Sequence, residues 1–246
     1  MQVHSPPSDK AFSRVRLIVI PLRGFLSAKE RLREHMPDDA RFTLVREMAT
    51  HVVQTAMEVG PTAVLSRDKE IWSFARNLGA AVLEEPLSIG THQATNPQHT
   101  LNQGLDWASG IANVTGATVL GILFADLPLL TAEDVEELLA VDEDQVHLAP
   151  DKSGQGTNAL ATSLPLGFPL SFGQGSFTRH REAALSASLT VRTLERPGLA
   201  FDIDTPADLN SLESLRAEKK HTTNPQHSNH KSNHKNEKPE KGDSPL

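Results

Sequence analysis

Three aspartates at the ends of apolar segments are the first candidates for chemistry. Asp126 directly follows ATVLGILFA (residues 117–125), the most apolar predicted strand, and Asp202 and Asp204 alternate in a second predicted strand, LAFDID (199–204). Residues two apart on a strand point to the same side, and neighbouring carboxylates repel unless a cation lies beside them. Mg²⁺ favours a few carboxylates together with substrate phosphates. The three aspartates therefore predict a magnesium site, although Asp126 and Asp204 could each be ordinary turn residues.

Two glycine-containing segments predict contacts to an anion. PDKSGQGTNAL (150–160) has two glycines before Thr157, and FGQGSFTRH (172–180) leads through two glycines to Ser176, the expected cap of a helix. Glycines let the backbone approach a ligand, and a helix start offers free N–H groups with the positive end of the helix dipole. A plain hairpin and a plain helix cap are the alternatives.

Basic residues accompany these segments. Arg179 and His180 stand in the first turn of the predicted helix, where positive charge opposes the dipole unless an anion binds. In PLRGFLSAKERL (21–32), after the first predicted strand, Arg23, Lys29 and Arg31 could neutralise a triphosphate. The alternative for this segment is a solvated charged loop.

Strands that alternate with helices are needed to bring these residues together. This order predicts an α/β fold with a mostly parallel sheet covered on both faces, and ligands of such sheets lie beyond the carboxyl ends of the strands. The predicted strands are 15–22, 62–66, 80–84, 117–125, 145–150, 157–164, 191–195 and 199–204. The predicted helices are 38–60, 71–78, 102–108, 131–140, 176–188 and one that starts at Thr205.

Composition narrows the function classes. The 246 residues are 38% hydrophobic and carry a net charge of −7, and there is no cysteine. The acidic balance argues against general nucleic-acid binding, and the lack of cysteine excludes disulfides, thiolate metal sites and a cysteine nucleophile. No P-loop, dinucleotide-binding G-x-G-x-x-G or G-x-S-x-G motif occurs.

The two ends of the chain differ from its body. No segment has the roughly 18 consecutive apolar residues of a membrane span, and no secretory signal opens the chain, so a cytoplasmic protein without a membrane partner is expected. Residues 1–13 are predicted to be a disordered lead, 14–215 a folded domain, and 216–246 a disordered tail rich in His, Asn and Lys.

Taken together, the motifs resemble the CofC/FbiD family of phospho-acid guanylyltransferases, which act in biosynthesis of coenzyme F(420). The resemblance covers about residues 14–215 and is carried by PLRGFLSAKERL, ADLPLL, APDKSGQGTNAL, FGQGSFTRH and PGLAFDIDTPADL. It implies a three-layer nucleotide-diphospho-sugar transferase (GT-A-like) fold. It also implies transfer of GMP from GTP to the phosphate of a small acid, namely phosphoenolpyruvate, 2-phospho-L-lactate or 3-phospho-D-glycerate.

The resemblance also implies roles for individual residues. The positions that match the Mg²⁺-binding catalytic acids are Asp126, Asp202 and Asp204, and those that match the acceptor-binding positions are Thr157, Gly173 and Ser176. The expected nucleotide contacts are Arg23, Lys29 and Asn102. The chain departs from the family pattern at Thr100, which replaces the glycine of a G-L-N motif, and at Phe172, where tyrosine is common.

Two other functions remain open at this point. One is a nucleotidyltransferase of the same fold that acts on a sugar phosphate or a molybdopterin-type acceptor. The other is a non-catalytic nucleotide-binding relative, which the altered segment before Asn102 would favour. The choice of phospho-acid and the oligomeric state also stay open.

Overall fold

Seven strands pair into one sheet in the computed structural model, which describes residues 14–25, 28–86 and 97–222. The strands are β1 (Arg16–Pro21), β2 (Thr62–Ser66), β3 (Ala81–Glu84), β4 (Val119–Leu123), β5 (Gln145–Pro150), β6 (Thr157–Ser163) and β7 (Thr190–Thr193). The helices are α1 (Asp38–Val59), α2 (Lys69–Leu78), α3 (Pro97–Val114), α4 (Ala132–Leu139), α5 (Ser176–Ser186), α6 (Pro197–Ala200) and α7 (Pro206–Thr222). A 3₁₀ turn at Glu30–Leu32 precedes α1.

The strand order, β3-β2-β1-β4-β6-β5-β7, places β1 and β4 at the centre of the sheet. β3, β2, β1 and β4 are parallel, β6 runs antiparallel to both β4 and β5, and β7 is parallel to β5. The prediction of an α/β fold with a mostly parallel sheet is confirmed. Because β6 runs the opposite way, its first residue lies at the same edge as the carboxyl end of β4.

The apolar runs of the sequence form the centre of the sheet because both of their faces are covered. Ile18, Val19 and Ile20 of β1 are each 0% exposed, and all five residues of β4 are buried. Local signals set the helix ends. The Asp68 carboxylate accepts the Glu70 N–H at the start of α2 (2.8 Å), and a capping box of Thr131 and Asp134 starts α4.

Two local predictions were wrong. Residues 199–204 do not form a strand, because Pro197 starts the short helix α6, where proline is favoured at the first position, and irregular backbone follows. Ser176 does not cap α5; the capping position is Gly175, whose φ of 71° is left-handed and costs glycine little.

The remaining differences concern lengths. α3 is longer than the predicted 102–108 at both ends. α7 continues to Thr222, seven residues past the predicted end of the folded domain. The predictions for residues 1–13, 87–96 and 223–246 lie outside the described residues. The chain divides into two compact units after Leu209, and none of the described helices combines the length and hydropathy needed to cross a bilayer.

We predict that Gly198→Ala destabilises the protein. A Cβ atom there would lie 1.9 Å from Asp134 Oδ2 and 2.8 Å from the backbone oxygen of Leu129. The same Asp134 oxygen accepts the Thr131 N–H at 3.0 Å, so the added methyl group disturbs the start of α4. Urea denaturation should show a loss of about 1–3 kcal/mol in the free energy of unfolding.

The matched control is Gly110→Ala on the exposed side of α3, where a Cβ atom meets nothing within 4 Å. Here alanine should raise the free energy of unfolding by about 0.5–1 kcal/mol. Equal effects of the two substitutions would contradict the packing described at Gly198.

Candidate active site

The three predicted aspartates converge at the carboxyl edge of the sheet. One carboxylate oxygen from each of Asp126, Asp202 and Asp204 lies within 4.8 Å of the others; these three residues are called the acidic cluster. Asp126 follows β4, and the other two follow α6. The site therefore forms without the strand geometry that the sequence suggested for Asp202 and Asp204.

Hydrogen bonds to Asn158 of β6 hold these segments together. Its backbone oxygen accepts the N–H of Phe124, two residues before Asp126, at 3.1 Å. Its side-chain amide donates to the carbonyls of Leu199 and Ala200 at 3.1 and 3.2 Å. One residue thus connects the ends of β4 and α6.

Lys29 supplies positive charge inside the acidic cluster. Its Nζ contacts Asp126 Oδ2 and lies 2.6 Å from Asp204 Oδ1. Burial alone would lower the pKa of Lys29, but the charges of Asp126 and Asp204 outweigh it and raise that pKa. Its backbone is left-handed (φ 56°, ψ 45°), a conformation that costs a residue with a Cβ atom roughly 1–2 kcal/mol. Such outliers concentrate at functional sites.

Asp202 is the most buried member of the acidic cluster, with 8% of its surface exposed. Burial, followed by the negative charges of Asp126 and Asp204, raises its pKa above the usual range. Its Oδ1 is buried and has no hydrogen-bond partner within the described part of the chain. A buried carboxylate oxygen without a partner is costly, and a bound cation would satisfy it.

Asp208 holds the backbone around Asp204 in place. Its Oδ2 accepts the N–H of Asp204 at 2.9 Å, and both the N–H and the hydroxyl of Thr205, at 2.7 and 2.8 Å. Its Oδ1 contacts Lys152 Nζ, which also donates to the carbonyl of Asp202 at 3.3 Å. Burial opposes ionisation, but these hydrogen bonds outweigh it and lower the pKa of Asp208 to about 2.

Thr157 and Ser176 lie side by side at the start of β6 and α5; they are called the hydroxyl pair. Their hydroxyl oxygens are 3.2 Å apart, and Thr157 Oγ1 is 3.1 Å from Nδ1 of His180. Gly173 is close by, because its carbonyl accepts the Ser176 N–H at 3.0 Å. The structure thus brings together all three residues that the resemblance assigned to the acceptor.

His180 is not the positive charge that the sequence analysis placed in the first turn of this helix. It is 0% exposed, and burial, followed by the charge of Arg179, lowers its pKa to about 4. The ring is therefore neutral at pH 7. The prediction of a positive charge at His180 was wrong because the sequence analysis did not distinguish the buried side of α5 from its exposed side.

Arg23 and Lys29 line a cleft of about 400 Å³ together with Phe124 and Asp126. Burial lowers the pKa of Arg23, and the charge of Glu85 partly opposes this. The cleft brings two of the three predicted nucleotide contacts together beside Asp126 of the acidic cluster.

Both polar atoms of the side-chain amide of Asn102, the third predicted nucleotide contact, form hydrogen bonds to the backbone of Phe172. Oδ1 accepts the Phe172 N–H at 2.7 Å, and Nδ2 donates to the Phe172 carbonyl at 3.1 Å. This links α3 to the segment before α5, and a contact from Asn102 to a nucleotide stays a prediction.

Sequence reasoning missed three residues that shape the site: Lys152, Asn158 and His180 as a neutral group. Asp208 did give a usable signal, because an acid three residues after Thr205 is typical of the helix start predicted there, and it accepts the Thr205 N–H. The contacts of the other three depend on tertiary packing.

Known proteins are similar to this chain over most of its length. The family described as "Guanylyl transferase CofC like" matches residues 16–228. The phosphoenolpyruvate guanylyltransferase of Sphaerobacter thermophilus is 38% identical over 200 residues, which are 80% of this chain and 91% of that protein. The 2-phospho-L-lactate guanylyltransferase of Methanosphaera stadtmanae is 26% identical over 209 residues, or 85% and 87% of the two chains.

Solved structures confirm the GT-A-like fold. A Desulfovibrio desulfuricans G20 protein classed as a nucleotide-diphospho-sugar transferase superposes with a TM-score of 0.65 at 17% identity, covering 82% of this chain and 87% of that one. A CMP:2-keto-3-deoxy-manno-octonic acid synthetase complexed with CTP gives a TM-score of 0.51 at 18% identity, covering 83% and 99%.

Acidification is expected to remove stability that depends on neutral His180. Its pKa is about 4 in the folded protein against a reference value of 6.5, so the unfolded chain binds the proton more tightly. The folded state then loses stability as the pH falls from about 6.5 to about 4, by about 3 kcal/mol.

Urea denaturation of the wild type and of His180→Asn at pH 7 and pH 4.5 tests this linkage. The wild type should lose more stability than the variant between the two pH values. A gap between the two proteins that stays constant with pH would contradict the assignment.

Proposed function

The chain belongs to the CofC-like guanylyl transferase family, and we propose that it moves GMP from GTP to the phosphate of a small phospho-acid and releases pyrophosphate. The observation that carries the proposal is the convergence of the acidic cluster and the hydroxyl pair at one edge of the sheet. Phosphoenolpyruvate is the acceptor we favour, because relatives 38% and 37% identical, from Sphaerobacter thermophilus and Chloroflexus aggregans, are named for it. The family implies a role in coenzyme F(420) biosynthesis.

The acidic cluster fits a divalent cation, which we propose to be Mg²⁺. Three carboxylates offer ligand atoms within 4.8 Å of one another, and Asp202 Oδ1, which has no hydrogen-bond partner among the described residues, would give the ion a buried oxygen ligand. When bound, Mg²⁺ neutralises phosphate charge and polarises the phosphoryl group. Asp126, Asp202 and Asp204 would hold it.

The reaction joins two anions, so positioning and charge neutralisation are the main tasks of the protein. An oxygen of the acceptor phosphate attacks the α-phosphorus of GTP, a new P–O bond forms, and the bond to the β-phosphate oxygen breaks. Arg23 and Lys29 line the cleft and would favour the triphosphate there. The hydroxyl pair and the backbone at Gly173 would bind the phospho-acid. No covalent intermediate on the protein is needed.

The direct test is incubation of the full chain with GTP and Mg²⁺ together with each phospho-acid in turn. We expect pyrophosphate release and a GMP adduct, identified by mass spectrometry, with phosphoenolpyruvate, 2-phospho-L-lactate or 3-phospho-D-glycerate as acceptor. Glucose 1-phosphate and the other nucleoside triphosphates serve as comparison substrates.

The outcomes separate the functions that remain. Product formed only from a sugar phosphate would show a nucleotidyltransferase of another specificity. Nucleotide binding in calorimetry without any product would show a non-catalytic relative. Either result would overturn guanylyl transfer to a phospho-acid.

Asp202→Asn is predicted to remove most turnover and leave the fold intact. The substitution keeps the shape of the side chain but removes the charge that would hold the cation, so kcat should fall on the order of 10²–10³-fold or more. Binding of Mn²⁺, followed by electron paramagnetic resonance, should weaken in parallel and provides a readout independent of turnover.

The control is Asp144→Asn, which removes the same charge from an exposed position before β5. It should keep both turnover and Mn²⁺ binding. Wild-type pyrophosphate release by Asp202→Asn would show that Asp202 has no part in the reaction.

A further inference from the structure

The buried imidazole ring of His180 contacts the hydroxyl pair, and its hydrogen bonds fix which of its two nitrogens carries the proton. The N–H of Ser171 donates to His180 Nε2 at 2.8 Å, so Nε2 must be an acceptor without a proton. The single proton of the neutral ring then lies on Nδ1. The lowered pKa of His180, about 4, agrees with a neutral ring at pH 7.

This tautomer fixes the direction of the next hydrogen bond. Nδ1 of His180 is 3.1 Å from Thr157 Oγ1, and because Nδ1 carries the proton, Thr157 must accept. A hydroxyl that accepts from an N–H keeps its own proton for another partner. The backbone amide of Ser171 therefore sets the hydrogen-bond direction at Thr157 through the ring of His180.

Counting protons then shows what the hydroxyl pair can offer to a ligand. The bond between Thr157 and Ser176 uses one hydroxyl proton, whichever of the two donates it. Neither hydroxyl makes another hydrogen bond to a described residue. One hydroxyl proton is left over in both arrangements, and this proton suits an anionic oxygen.

We propose that His180 is a positioning residue: it fixes the polarity of the hydroxyl pair, so that the pair donates a hydrogen bond to an anionic oxygen of the phospho-acid. This rests on the proposed function. If Nδ1 were instead an acceptor, Thr157 would donate its own proton to the ring, and the pair would present only lone pairs to the phospho-acid, which would repel an anion.

The packing around His180 supports a role in orientation rather than in proton transfer. The rings of Phe172 and Phe168 lie against the imidazole in edge-on contacts, with centroids 4.6 and 6.5 Å away. Both ring nitrogens are already engaged, and the residue is 0% exposed. The ring is held in one orientation and is shielded from water.

The position of the hydroxyl pair indicates which substrate is affected. Thr157 begins β6 and Ser176 begins α5, whereas Arg23 and Lys29 line the cleft beside β1. A substitution of His180 should therefore weaken binding of the phospho-acid and leave binding of the nucleotide largely unchanged. A purely structural role would not make that distinction.

The experiment compares His180→Phe and His180→Asn with the wild type in the full chain. Phenylalanine fills the space but removes the hydrogen bond that orients the Thr157 hydroxyl, so the KM for the phospho-acid should rise by about 10-fold, while the KM for GTP changes by less than about twofold. Asparagine can place an N–H near the position of Nδ1 and should restore much of the acceptor affinity. Equal KM values for the acceptor in His180→Phe and the wild type would overturn the proposal.

His147→Phe is the matched control. His147 is also 0% exposed and bonds through Nδ1, but to the carbonyls of Glu137 and Leu138 rather than to the hydroxyl pair. Replacing it should lower stability without changing the KM for the acceptor. If the KM for the acceptor rises similarly in both variants, the effect of replacing His180 comes from general destabilisation of the fold, and the proposal is overturned.

A spectroscopic measurement keeps the proposal testable if His180→Phe does not fold. Long-range ¹H–¹⁵N correlation spectra of ¹⁵N-histidine-labelled wild type should show His180 as the Nδ1–H tautomer at pH 7, its signal identified by its loss in His180→Asn. The Nε2–H tautomer, or a charged ring, would overturn the proposal. Lack of turnover by the wild type with every phospho-acid would instead refute the proposed function itself.

Discussion

Repulsion among three carboxylates is the constraint on which this site depends. Asp126, Asp202 and Asp204 present oxygens within 4.8 Å of one another, and like charges at such distances destabilise a folded protein unless positive charge is close. Lys29 provides part of that charge and adopts a left-handed backbone conformation to do so. Asp208 and Lys152 fix the segment that carries Asp202 and Asp204. Stability is thus given up locally to keep a cation-binding arrangement in place.

The antiparallel direction of β6 explains why the acidic cluster and the hydroxyl pair lie at the same edge of the sheet. A parallel strand beside β4 would begin at the far edge of the sheet, but antiparallel β6 begins next to the end of β4. Thr157 therefore lies close to the segment of Asp126, and Asn158 binds both neighbouring segments. The acidic cluster comes from the segments that follow β4 and α6, and the hydroxyl pair comes from the first residues of β6 and α5.

The sequence predicts the parts of this site that depend on local pattern. The apolar runs of β1 and β4 identify the central strands, and the acid after β4 is a metal ligand candidate for that reason. The pairing of Asp202 with Asp204 was foreseen, but from a strand that does not exist, since Pro197 begins a helix and irregular backbone positions both carboxylates. The neutral state of His180 could not be foreseen, because it depends on burial against Phe172 and on the Ser171 amide.

Two parts of the site carry different kinds of hydrogen-bond donor: charged side chains at Arg23 and Lys29, and neutral hydroxyls at Thr157 and Ser176. The proposed reaction gives a reason for this difference. In the proposed reaction, the positive charges of Arg23 and Lys29 would face a triphosphate, whose charge is high and whose contacts need little selectivity. On the proposed acceptor side, the hydroxyl pair, oriented by a neutral imidazole, would offer a donor that depends on direction and distance. Small phospho-acids have similar charge and differ in the placement of a few oxygens, so directional donors can distinguish them better than a point charge can. In this proposal, burial of His180, which keeps its ring neutral, would favour selectivity for the acceptor over strength of attraction.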